Sequence, residues 1–119
     1  MEIKEGKIIF NEKISLLVKP MIGVIGVAPA ESSVPCGTPG PHGGNMDTKV
    51  IAQGSRLYLP VFSEGALLAA GDLHALMGDG EVGVTGVEVA GKVTDFNGQG
   101  EEGFKAGESC GEKPRGHCH

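Results

Sequence analysis

The sequence predicts a mainly β, turn-rich fold, and three observations carry that expectation. Glycine supplies 21 of the 119 residues, more than twice its usual share. Only five residues are aromatic, four Phe and one Tyr, too few for the core of a typical helical bundle. The apolar residues also fall into short β-branched runs broken by Gly and Pro, the pattern of strands and turns. A chain of this length has room for one domain. The expected division is a β domain over residues 1–94 followed by a Gly/Glu-rich tail over residues 95–119.

Taken in order, EIKEGKIIF (residues 2–10) alternates around Glu5-Gly6 and reads as a short hairpin. ISLLVKPMIGVIGVA (residues 14–28) is apolar and β-branched with Pro20 in its middle. Proline there marks either an edge strand or a break between two strands. Residues 29–46 contain Pro29, Pro35, Pro39 and Pro41 among Ser, Gly and Thr, so a long loop carrying His42 is expected. Loops of that length in compact domains are usually functional. Strand character returns at residues 48–51 and 56–62, separated by Gln53-Gly54-Ser55.

Residues 66–76, ALLAAGDLHAL, fit a helix by their Ala and Leu content and a strand by the central Gly71 and short apolar flanks. The strand is the preferred reading, and it places Asp72 and His74 on one face because side chains alternate with period two. Gly78-Asp79-Gly80 reads as a tight turn. Residues 82–93 read as a further strand, with glycines where bulges sit. From Asp95 onward there is no Leu, Ile or Val but six Gly and four Glu. Such a segment cannot bury enough apolar area to offset its ordering entropy and is expected to be disordered.

The net charge of −5 is spread along the chain. No basic stripe is present for a phosphate backbone, which argues against nucleic acid. No apolar run reaches membrane-spanning length, and the charged start MEIKEGK is not a signal peptide. Cys36, Cys110 and Cys118 are an odd count without framework spacing, which suits a reducing compartment. The cytoplasm is therefore the expected location. Met21, Met46 and Met77 read as core or gap filler.

The chemistry concentrates in two places. His74 stands near Asp72, Asp79 and Glu81, and imidazole with carboxylates is the usual ligand set for a divalent ion. The same spacing also fits a turn aspartate, two solvated carboxylates and a hydrogen-bonded strand histidine. His42, Asn45 and Asp47 in PHGGNMD form the second group, where adjacent glycines allow close backbone approach. On these residues alone an ordinary Gly-rich turn, with Asn45 and Asp47 capping local backbone, is the preferred reading. Glu64 reads as a solvated carboxylate at a strand end. Cys110, His117, Cys118 and His119 lack the paired spacing of structural zinc and read as a weak metal scavenger at the chain end.

The strings KPMIGVIGVAPA (residues 19–30), PHGGNMD (residues 41–47), GSRLYLPVFSEGALLAAGDLHALMGDGEV (residues 54–82) and TGVEVAGKVT (residues 85–94) resemble the acetamidase/formamidase family. The resemblance implies a β-sandwich-like core with few short helices, homo-oligomeric assembly, and hydrolysis of short-chain aliphatic amides such as formamide and acetamide to ammonia and carboxylate. It further implies a divalent metal ion, zinc or calcium, held by His74, Asp72 and Glu81. Catalytic roles fall to Asp72, Glu81 and Asp79, and contacts with the small amide substrate to His42, Asn45 and Asp47. In that scheme a carboxylate acts as general base and then protonates the departing ammonia. Family members are longer, and the matched motifs belong to their middle portion. The chain therefore reads as a fragment that lacks the family's N-terminal half, with a frameshift, truncated reading frame or junction near Asp95. The alternative is a non-catalytic module that binds a metal or a small amide.

Overall fold

A computed structural model describes residues 2–94; the expected tail and the Cys/His chain end lie outside the described residues. Seven strands make two antiparallel sheets, and no helix occurs among the described residues. The mainly β expectation is met. No helix there is long and apolar enough to cross a membrane.

The first sheet is a three-stranded meander of β1 (Glu2–Lys4), β2 (Lys7–Ile9) and β3 (Ser15–Leu17). Glu5 and Gly6 link β1 to β2 with φ of 49° and 73°, the left-handed pair that a two-residue hairpin turn requires. A second turn is closed by Asn11, whose side-chain carbonyl accepts from the amides of Lys13 and Ile14 at 2.9 Å.

The second sheet has the order β5 (Gly43–Asn45), β4 (Met21–Gly26), β6 (Ala69–Leu76), β7 (Val87–Glu88). Of the two alternatives raised by Pro20, the break is the one found. The chain leaves the first sheet at Leu17, passes Pro20 and enters the second as β4. β4 is a central strand, paired with β5 on one side and β6 on the other. Its unbroken apolar run MIGVIG reflects that position, since a strand covered on both faces need not alternate. The core gathers on this strand: Met21 and Ile22 are buried, and Ile22 packs with Ile51, Met46, Leu73 and Val93. A cavity of about 240 Å³ lies between the first hairpin and β6, lined by Ile3, Val18, Pro20, Leu73 and Ala75 among others.

Four expectations change. Residues 43–45 form β5 inside the expected loop, built largely of glycine. Residues 48–51 are a turn instead of a strand, closed by Ile51 N to Thr48 O at 3.0 Å, and the expected turn at Gln53-Gly54-Ser55 follows it, closed by Ser55 N to Ala52 O at 3.0 Å. Residues 56–62 form no strand although their composition suits one. Residues 82–93 contain only the two-residue β7, because the chain turns at Val84, whose amide bonds back to Glu81 O at 2.9 Å. Partnership accounts for the third: β propensity describes fit to a paired, half-buried surface, and no described strand lies alongside residues 56–62, whereas Ala52 keeps an isolated bridge to Met21 of β4.

Candidate metal centre

The site is built on β6. Register pairs Met21 with His74 and places His74 opposite Glu88 of β7. His74 is 0% exposed, the only polar residue among the buried ones described. Three carboxylates reach its Nε2: Asp72 Oδ1 at 3.2 Å, Glu88 Oε1 at 3.2 Å and Glu81 Oε1 at 3.4 Å. Alternation along β6 brings Asp72 to the His74 side as expected. Asp72 nonetheless carries φ of 53°, a conformation that non-glycine residues adopt mainly where the surroundings impose it.

Asp47 completes the constellation from the segment after β5. Its Oδ1 is buried without a hydrogen-bond partner among the described residues, as is His74 Nδ1. Two three-residue groups result, Asp47–His74–Glu81 and Asp72–His74–Glu88, each with its ligand atoms within 4.8 Å of one another. Asp72 and Glu81, expected to share one ion with His74, both approach the ring but fall in different groups. Glu88 stands beside Asp72, and Asp47, expected at the substrate, stands beside Glu81.

Two glycines make this convergence possible. A Cβ on Gly23 would stand 2.6 Å from Asp47 Oδ1 and 2.7 Å from Asp72 Oδ2. The missing side chain is therefore a cradle with a carboxylate oxygen on either side. A Cβ on Gly86 would stand 2.7 Å from His74 Nδ1, so only glycine lets that turn lie against the ring.

The remaining sequence candidates lie elsewhere. Asp79 sits on an exposed bend and pairs with Lys49. The Lys49 hydrogen bond, reinforced by its charge, holds the Asp79 carboxyl below its ordinary value. His42 is half-buried, and its backbone carbonyl accepts from Val27 N at 2.9 Å. Asn45 pairs with Val24 across β4 and β5. Glu64 is in an exposed turn and Cys36 is an exposed free thiol. Glu88 was not singled out from the sequence. Its position between Val87 and Val89 in a β-branched run was the available signal, but only the pairing of β7 with β6 aims it at His74.

Electrostatics decides what the cluster can hold. Four carboxylates face one imidazole, which brings at most one positive charge. Among the described residues no Lys or Arg forms an ion pair with any of the four. Like charges so close, with one oxygen buried and unpaired, are costly unless a cation sits among them. The orphaned Asp47 oxygen, the Gly23 cradle and the donor chemistry all fit a divalent ion.

The comparisons agree with the strings noted in the sequence. The model of the Acetamidase/Formamidase family matches residues 30–96. An acetamidase of Mycolicibacterium smegmatis is 50% identical over 59 residues, which cover 50% of this chain and 14% of that protein. A formamidase of Methylophilus methylotrophus is 48% identical over 54 residues, covering 44% and 13%. The structure of an acetamidase/formamidase from Thermoanaerobacter tengcongensis matches with a TM-score of 0.71 at 76% identity, over 73% of this chain and 29% of that one. An acetamidase from Bacillus halodurans gives 0.70 at 54%, over 71% and 29%. The chain thus spans less than a third of the length of each of these proteins. With the match over residues 30–96 and a like strand arrangement in solved relatives, the chain belongs to the acetamidase/formamidase family.

Proposed function

We propose that the His74 cluster is a divalent-cation centre for the hydrolysis of short-chain amides. The single observation behind this reading is the convergence of Asp47, Asp72, Glu81 and Glu88 on His74 with no basic side chain paired to them among the described residues. His74 would hold the ion together with Asp72 and Glu88, or with Asp47 and Glu81, the two groups that share its imidazole. The imidazole nitrogen favours a borderline ion such as zinc, since calcium prefers an all-oxygen cage. When bound, the ion supplies Lewis-acid polarisation of the amide carbonyl and lowers the pKa of water.

The side chains then divide the proton work. Glu81 is the least exposed of the three carboxylates that reach Nε2, at 16% against 34% for Asp72 and 50% for Glu88. A sheltered carboxylate is suited to take a proton from the attacking water and hand it to the leaving nitrogen. The water oxygen bonds the carbonyl carbon, the C–N bond breaks, and ammonia leaves with the transferred proton. Relatives named acetamidase and formamidase favour acetamide and formamide as the substrates. The cytoplasm and a homo-oligomer belong to the same reading, which an oligomer would serve by covering the open side of the site.

The test is ammonia release from formamide and acetamide by the chain with added Zn²⁺, with His74→Ala and Glu81→Gln beside it. Turnover lost in His74→Ala and lowered roughly 10²–10⁴-fold in Glu81→Gln is the expected pattern for a metal-assisted general base. Release that is unchanged in both variants overturns the assignment. One observation favours a second reading: the site is open on the side of Asp72 and Glu88, and the chain matches only 29% of the solved relatives' length. Zn²⁺ binding that depends on His74, without ammonia release, would make the chain a cation-binding module that needs further polypeptide for turnover.

A further inference from the structure

The turn leading into β7 does more than deliver Glu88. Thr85 Oγ1 lies 3.1 Å from Glu88 Oε1, and the Gly86 N–H donates to the same oxygen at 3.2 Å. That oxygen is also the one 3.2 Å from His74 Nε2. Glu88 is half exposed, so its side chain would otherwise spend rotamer entropy to come to rest against the ring. Two donors on one carboxylate oxygen limit that loss before any ligand arrives. The Thr85 hydroxyl also lies 3.2 Å from Gly86 O, but its single proton is better placed on the carboxylate, because charge-assisted hydrogen bonds are the stronger ones. The bare Gly86 backbone lets this turn approach the ring at all.

We infer that Thr85 is a positioning residue: its hydroxyl, together with the Gly86 amide, holds Glu88 Oε1 against His74 and presets it as a cation ligand. The inference rests on the cation reading above for its last step only. Partners that orient a metal ligand typically govern affinity by one or two orders of magnitude.

The experiment titrates Zn²⁺ by calorimetry into the wild-type chain and into Thr85→Val, Thr85→Ser and Glu88→Gln. Thr85→Val keeps the shape and removes the hydroxyl, so affinity should fall about tenfold, the lower end for an orienting partner of a half-exposed ligand. Thr85→Ser should restore it, and Thr85→Val should add nothing in the Glu88→Gln background. Unchanged affinity in Thr85→Val beside a clear loss in Glu88→Gln overturns the inference. A second readout needs no metal. The ¹⁵N resonances of the His74 imidazole should move in the same direction in Thr85→Val and Glu88→Gln and stay in place in Thr85→Ser. Movement in Glu88→Gln alone overturns the positioning role whether or not Zn²⁺ binds. If the wild-type chain takes up no Zn²⁺ while the resonances follow the expected pattern, the cation reading falls and the hold on Glu88 stands.

Discussion

Residues 21–26 and residues 56–62 are both short, apolar and rich in strand-favouring side chains, yet their fates differ. The first, MIGVIG, is the central strand β4, with Met21 and Ile22 buried and a paired strand on either side. The second, RLYLPVF, forms no strand, and Tyr58 is 83% and Val61 68% exposed. Composition does not separate them. What separates them is a neighbour: β4 finds β5 and β6, whereas Pro60 removes a ladder donor from the second run and no described strand lies alongside it. A sequence can advertise a strand, but burial comes from the segment that pairs with it. The polar site obeys the same rule, because His74 becomes a centre only where β7 brings Glu88 and the segment after β5 brings Asp47.

The comparison can be broken at several points. His74→Ala should have the largest effect. It removes the ligand common to both three-residue groups, so Zn²⁺ affinity measured by calorimetry should fall more than about a hundredfold, beyond what loss of an orienting partner costs. Next comes the apolar contrast. Met21→Ala should lower stability by about 2–5 kcal/mol in urea unfolding, whereas Tyr58→Ala should change it by no more than about 0.5 kcal/mol. Equal losses at the two positions would mean that residues 56–62 are covered in solution.

A smaller effect is expected at Gly23. Gly23→Ala drives a Cβ to within 2.7 Å of oxygens of both Asp47 and Asp72. Overpacking of that kind costs about 1–3 kcal/mol, and Zn²⁺ binding should weaken in parallel because the carboxylates must separate. The smallest effect belongs to Lys49→Ala. Lys49 depresses the Asp79 pKa, so the pair contributes stability above the unfolded carboxyl's pKa, and that contribution is lost as pH falls through the lower folded value. Removing Lys49 should raise the Asp79 pKa toward 3.8 in an NMR titration and leave Zn²⁺ affinity unchanged.

Much of this architecture is legible in the chain. Glu5-Gly6 announces the first hairpin through turn chemistry alone, and Pro20 marks the passage between sheets. Alternation along β6 places Asp72 beside His74, even though Asp72 itself departs from strand geometry. The information that is not legible is long-range. Nothing local to VEVAG shows that Glu88 reaches an imidazole fourteen residues earlier in the chain. Asp79, adjacent in sequence to the site and acidic, turns outward to Lys49 because a bend decides its direction. The glycines of β5 read as loop because strand formation there depends on β4, not on side chains of its own.

The most direct test of the central claim is the metal content of the chain after equilibrium dialysis against Zn²⁺, wild type beside His74→Ala. The account predicts a tightly held ion in the wild type that is absent from His74→Ala. Equal zinc content at equal affinity in the two chains would contradict it, because the carboxylates around His74 would then not be a cation centre.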